Sequence, residues 1–279
     1  MTPDEHFQDI KRVISAIKGH ASSIHVVMPL LYESRQHKRK GRESLDCALA
    51  LQELEDLGVN GIVTFDAHDP QVQNAIPNLP FDNFYPTHTI LKRFLKKEAI
   101  DLKNIFIVSP DMGAVERARY YAELLGCDLG VSYKRRDYSI VENGKNPVVE
   151  HSYLGKDVND KDVLIVDDMI ASGESIIDVA KKMKEMGARR IYLSASFALF
   201  TGGIEVFDKA YEQKLFDGVY TTNLTYIPDA YMTRDWLTRV DCMPFLADII
   251  YTLGNGKSVQ ELQNGKEKIL ELIRNRETK

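Results

Sequence analysis

Two neighbouring carboxylates, Asp167 and Asp168, stand between an apolar run and a short stretch of small residues, Ala171, Ser172 and Gly173. Paired acids can grip sugar hydroxyls or help hold a hard cation such as Mg²⁺. Ser172 and Ser175 add hydroxyl donors, and Gly173 lets a backbone come close to a ligand. A phosphate at one end and vicinal hydroxyls at the other describe a pentose 5-phosphate. The same residues also suit an ordinary strand-to-helix turn with solvated acids, so the setting has to decide.

The flanking pattern supplies that setting. Val163 to Val166 read as a buried parallel strand. Ile176, Ile177, Ala180 and Met183 then recur at helical spacing. In open parallel sheets, ligands bind outside the carboxyl ends of the strands. The helix that follows offers unpaired N–H groups and the positive end of its dipole, which suit a phosphate. Successive strand residues face opposite ways, but at a strand's end both acids can turn toward the mouth.

Further polar groups stand at other strand ends. Arg35-Gln36-His37-Lys38-Arg39-Lys40 follows the strand expected at Ile24 to Leu31; taken alone it is a solvated basic loop. Asp66-Ala67-His68-Asp69 follows Gly61 to Phe65, where a lone histidine is a polar core residue or a pH-sensitive surface group. Ser109-Pro110-Asp111-Met112-Gly113 follows Ile105 to Val108, and Asp111 by itself reads as a helix cap. Lys134-Arg135-Arg136 follows Leu129 to Tyr133 and by itself is a surface charge cluster.

The remaining elements complete an alternation. Thr2, Pro3 and Glu5 form a capping box ahead of a helix with Phe7, Ile10, Val13, Ile14 and Ile17 on one stripe. Helices are expected at Leu45 to Leu57, from Thr89, up to Leu125, and over Glu205 to Lys214, Phe245 to Leu253 and Val259 to Ile273. Strands are expected at Ile191 to Ala198 and Val219 to Asn223, and residues Asp137 to Lys161 read as an irregular exposed hairpin or mobile loop. This order predicts an α/β fold with parallel sheets and crossover connections, two sheets rather than one, changing near residue 100.

With 279 residues, 44% hydrophobic and 28% charged, the chain can bury one large core or two medium ones. A net charge of −5 gives no general attraction to nucleic acid. Cys47, Cys127 and Cys242 are widely separated, form no metal spacing and suit a reducing cytoplasm. No apolar run approaches a membrane span, and the first residues are too polar for a signal peptide. A cytoplasmic protein with no membrane or nucleic-acid partner is expected.

Val163 to Ser175 resembles the phosphoribosyl-pyrophosphate motif of type I phosphoribosyltransferase folds. From about Phe7 to the last helix, including the stretch Leu253 to Ser258, the chain resembles the ribose-phosphate pyrophosphokinase family in a divergent bacterial form. The resemblance implies two phosphoribosyltransferase-like domains: residues 1–100, carrying the ATP-side residues; 101–245, carrying the ribose 5-phosphate site; and 246–279 packing back on the first. It implies transfer of the diphosphoryl group of ATP to ribose 5-phosphate. Asp167, Asp168, Ser172, Gly173 and Ser175 would hold the sugar phosphate, Arg35 and Gln36 the ATP, and His68 and Asp111 the Mg²⁺. Lys134 and Arg136 would neutralise the moving diphosphate. A homo-oligomer is implied as well.

The chain departs from the family's pattern at several points. His37 stands where an aspartate is usual, Glu33 where a tyrosine is, Ala171 where a third aspartate is, and Glu174 where a glycine is. The family's first strands have no counterpart ahead of the first helix, so the first domain is expected to be incomplete. Ala171, Glu174 and the missing front leave open a non-catalytic binding or regulatory relative; a phosphoribosyltransferase is the other alternative, against which the arginine-glutamine loop and the second domain argue.

Overall fold

The structure, a computed structural model, describes the chain apart from residues 1, 40, 137–147, 264, 278 and 279; at 134–136, 148–151 and 276–277 it describes backbone alone. The chain divides into two compact units, Met1–Pro86 and Thr87–Lys279.

The first unit opens on α1 (Pro3–Ile17), whose start is the capping box read from the sequence: the Thr2 side chain accepts from the Glu5 N–H and the Glu5 carboxylate accepts from the Thr2 N–H. Three short strands, β1 (His25–Met28), β2 (Gly61–Phe65) and β3 (Phe81–Phe84), form a parallel sheet in that order. The second helix, α2 (Asp46–Asp56), crosses from β1 to β2. Phe7 and Ile14 of α1, Ala50, Leu51 and Leu54 of α2, and Val26, Met28 and Ile62 of the sheet share one core. β3 was not legible in the sequence: of Phe-Asp-Asn-Phe only Phe84 is buried, and Asp and Asn are poor strand formers.

The second unit begins with α3 (Thr87–Lys97) and continues through β4 (Ile105–Ser109), α4 (Val115–Leu125), β5 (Asp128–Arg136), β6 (Val148–Leu154), β7 (Asp162–Ile170) and α5 (Glu174–Glu185). There follow β8 (Arg190–Ala198), α6 (Glu205–Glu212), β9 (Gly218–Thr222), β10 (Leu237–Val240), α7 (Met243–Gly254), α8 (Gln260–Gln263) and α9 (Gly265–Glu277). Seven strands form one sheet, ordered β10-β9-β8-β7-β4-β5-β6, parallel except that β6 runs against β5. The stretch expected to be irregular therefore contains a strand over 148–154.

β7 lies near the middle of this sheet and is buried on both faces, hence its unbroken apolar run. Val163 and Ile165 pack with α5 and α6 on one side, and Leu164 and Val166 with α3, α4 and Ile269 of α9 on the other. Ile90, Leu91, Phe94 and Leu95 of α3 belong to that second core. The first sheet ends at Phe84 and the second begins at Ile105, on either side of the change expected near residue 100, while the compact units part at Pro86/Thr87. At the amino end of β7, fully buried Asp162 accepts from Arg189 Nε and Nη2 (3.0 and 2.8 Å) and from Arg190 Nε and Nη2 (3.0 and 2.5 Å). No helix among the described residues is long and apolar enough to cross a membrane.

Candidate functional site

The order of the seven-stranded sheet fixes where a ligand can enter. From β4 the chain crosses through α4 to β5 on one side; from β7 it crosses through α5 to β8 on the other. Between β4 and β7 the winding reverses, and at such a switch point a crevice opens beyond the carboxyl ends of the strands.

Asp167 and Asp168 lie at this crevice, in a position the sequence did not give. The strand does not stop at Val166. β4 pairs with β7 only as far as Ile165, but β7 continues along β8, with Asp167 opposite Ala195 and Ile170 opposite Ala198. The acids are thus inside a strand, beyond the point where its β4 neighbour has turned away. Asp168 is buried, Asp167 is half-buried, and the Asp168 N–H donates to Asp167 Oδ1 at 2.8 Å. Burial pushes the Asp167 carboxyl well above the usual carboxylate range; the Asp168 and Asp111 charges push it further, and the Arg117 guanidinium offsets part of this.

Asp111 joins them from the loop after β4. Its Oδ1 accepts from the Gly113 and Ala114 N–H groups at 2.8 and 3.0 Å, and its carbonyl accepts from Ser109 Oγ at 2.7 Å. Its side chain closes the turn ahead of α4, whose N-cap is Ala114 with no side-chain cap, and Oδ2 is the oxygen a cation would take. Among the described residues, no group of three or more His, Cys, Asp or Glu converges to hold a metal ion. An ion that keeps several waters and takes most of its ligands from substrate phosphates needs only one or two carboxylates, and Mg²⁺ behaves that way. Asp111, with Asp167 and Asp168 near enough for their charges to act on one another, fits such an ion.

After Ile170 the chain turns through Ala171, Ser172 and Gly173 into α5. Gly173 is the N-cap at φ +92°, a conformation L side chains rarely adopt, and no side chain caps the helix. A Cβ on Gly173 would stand 2.3 Å from Phe207 Cε2, so the close approach of an aromatic ring also demands glycine. The uncapped first turn of a twelve-residue helix presents its N–H groups at the mouth. Ser172 is half-buried there; Glu174 and Ser175 are exposed.

The first unit has its own strand-end cluster. β1 and β2 are parallel neighbours, so the loops after them leave one edge of the sheet. Arg35, Gln36 and His68 are exposed, while the His37 side chain is only 8% exposed. His37 Nε2 lies 3.4 Å from Asp69 Oδ2, and the His37 and His68 rings are 5.2 Å apart. Burial pushes the His37 pKa down, Asp69 opposes this, and His68 and Lys38 add to it. Asp66, at φ +42°, starts the turn that brings His68 and Asp69 round. His37 therefore ties the basic loop to the loop after β2, a link invisible in the sequence because the two lie on different strands.

Lys134 and Arg136 stand on β5, opposite His151 and Val148 of β6, with an irregularity in register between Arg135 and Arg136. Their side chains lie outside the described residues. Arg117 and Phe207 escaped the sequence reading altogether. A charged residue in the first turn after a strand-end loop was the available signal for Arg117; for Phe207 there was none.

Comparison with known proteins adds the following. Residues 1–58 match the model for the N-terminal domain of ribose phosphate pyrophosphokinase, and residues 87–214 that for the phosphoribosyl transferase domain. A ribose-phosphate pyrophosphokinase of Ureaplasma parvum is 32% identical over 273 residues, 96% of this chain and 78% of that protein. One from Thermosipho africanus is 31% identical, covering 93% and 78%. The crystal structure of a phosphoribosylpyrophosphate synthetase from Mycobacterium smegmatis superposes with a TM-score of 0.75 at 25% identity, over 90% of this chain and 78% of that one. With its α/β architecture, its switch-point crevice and these likenesses, the chain belongs to the ribose-phosphate pyrophosphokinase family.

Proposed function

We propose that the protein transfers the diphosphoryl group of ATP to ribose 5-phosphate, giving AMP and phosphoribosyl pyrophosphate. The anomeric hydroxyl oxygen forms a bond to the β-phosphorus, the bond from that phosphorus to the oxygen of the departing AMP breaks, and the hydroxyl proton is lost to solvent. The observation that carries this reading is the crevice between β4 and β7, which sets Asp167 and Asp168 beside the uncapped start of α5.

Each group has a task that suits its place. Asp167 and Asp168 accept from the ribose hydroxyls. The N–H groups after Gly173, with Ser172 and Ser175, hold the 5-phosphate. Arg35 pairs with ATP phosphate in two-pronged fashion and Gln36 adds a donor and an acceptor. Lys134 and Arg136 stabilise charge on the diphosphate in transit, the support such a loose transition state most needs. Asp111 in the second unit and His68 in the first would each serve Mg²⁺, His68 through water because the ion prefers oxygen. When bound, Mg²⁺ supplies neutralising charge for the phosphates.

The reaction belongs in the cytoplasm, where its substrates occur and where three unbridged cysteines are at home. Copies of the chain are expected to associate, which light scattering checks. The reaction itself is tested by following AMP formation from ATP with and without ribose 5-phosphate. AMP that appears only with both substrates and Mg²⁺ supports the assignment, and its absence from folded protein contradicts it.

A further inference from the structure

The turn that carries the proposed phosphate site is held from behind by an aromatic stack. The Phe207 ring, fully buried on α6, abuts Gly173: a Cβ there would lie 2.3 Å from Cε2 and 2.5 Å from Cζ. Phe207 stacks on Trp236, centroids 5.8 Å apart and planes 20° from parallel, and meets Phe200 and Phe216 edge-on at 5.1 and 6.2 Å.

Trp236 is itself anchored. Its Nε1 donates to Asp208 Oδ1 at 3.1 Å, and Arg234 donates to the same carboxylate through Nε at 2.8 Å and Nη2 at 2.7 Å. Asp208 follows Phe207 directly on α6, so this one carboxylate fixes the helix to the ring stacked on its neighbour. The loop after β8 closes the other side. Leu199 N–H donates to the Ile170 carbonyl at 2.8 Å and Thr201 N–H to the Ala171 carbonyl at 2.9 Å. A Cβ on Gly202 would lie 2.8 Å from the Ser172 carbonyl oxygen.

Interiors this dense do not yield gradually. The turn is pressed against a ring that cannot retreat, so the ring's position is the turn's position. A displacement of ~1 Å at groups that orient a substrate is enough to cost much of their effect. The geometry points to Phe207, backed by Trp236 and the Asp208–Arg234 ion pair, as the positioning element that sets the Ser172–Gly173 turn at the depth where its N–H groups meet the sugar phosphate. This rests on the assignment of that turn to ribose 5-phosphate.

The test is steady-state kinetics on Phe207→Leu and Trp236→Phe, with calorimetric binding of ribose 5-phosphate and thermal melting alongside. Phe207→Leu is expected to raise KM for ribose 5-phosphate about tenfold, with kcat and KM for ATP within about twofold. Trp236→Phe keeps a ring but loses the N–H to Asp208, and is expected to raise the same KM about threefold; it carries the test if Phe207→Leu fails to fold. Gly173→Ala should do less harm on top of Phe207→Leu than the product of the two single effects, because the Leu side chain gives the new methyl room. A fold-only role for the stack would lower melting temperature and active fraction but leave KM alone, and that result overturns the inference. So does a rise in both KM values together, or strict multiplicativity with Gly173→Ala. Failure of the wild-type protein to bind ribose 5-phosphate overturns the proposed function and this inference with it. Wild-type binding with an unmoved KM in both variants overturns the positioning role alone.

Discussion

The crevice at β4 and β7 and the loop cluster after β1 and β2 both sit at carboxyl ends of parallel strands, yet they are built differently. In the second unit the backbone makes the site: a strand outlasting its neighbour, a left-handed glycine and an uncapped helix. Asp168 is buried and Asp167 half-buried, and burial with the neighbouring acid charges raises the Asp167 carboxyl. In the first unit side chains make the cluster. Arg35, Gln36 and His68 are exposed, and His37, its side chain largely buried, bridges the loops that carry them. A backbone site can hold a small, fixed ligand such as a sugar phosphate. An exposed cluster suits a larger, more adaptable one such as a nucleoside triphosphate.

That contrast can be broken most sharply at the acids. Replacing Asp167 and Asp168 together by Asn should lower AMP formation about 10³-fold. The melting temperature should stay level or rise, because two like charges no longer share a buried strand. A large fall in melting temperature would mean that the pair is structural.

Gly173→Ala comes next. A side chain at φ +92°, facing Phe207 at 2.3 Å, should displace the turn and raise KM for ribose 5-phosphate about 10²-fold, leaving KM for ATP within about twofold. Arg35→Lys should do the reverse. Loss of the planar fork should raise KM for ATP about tenfold and leave the sugar phosphate unaffected. Equal effects of both variants on both substrates, read from paired saturation curves, would erase the division of labour.

The smallest effect on activity is expected at the far end of β7. Asp162→Asn leaves two arginines, both partly exposed, around a lost charge and should cost about 1–3 kcal/mol in denaturant unfolding, with the folded fraction fully active. Burial alone would push the Asp162 carboxyl up, but hydrogen bonds from Arg190 and Arg189 outweigh it and hold the group below the usual range. The stability it contributes is therefore present above the unfolded-state value of about 3.9 and is lost as pH falls through the folded one. Asp162→Asn should remove that part of the acid slope.

How much could be read in the residues follows the same division. The apolar run of β7, the helical spacing after Ser175 and the capping box at Thr2 carry their structure locally, and they emerged as expected. The end of β7 did not, because it is set by how far β4 and β8 run beside it, which is a matter of register. β3 and β10 were missed because short edge strands bear little apolar alternation. The site in the second unit was visible as a pattern of small and acidic residues. The cluster in the first unit was recognisable only by resemblance, since exposed Arg, Gln and His at a strand end look like any solvated loop. The link through His37 and the stack behind Gly173 join residues far apart in the chain and left no local trace.

The most direct measurement is a crystal structure of the protein soaked with ribose 5-phosphate. The phosphate is expected on the N–H groups that follow Gly173, with ring hydroxyls on Asp167 and Asp168. Density for the ligand at any other place, with these two acids turned into internal bonds, would contradict the proposed site.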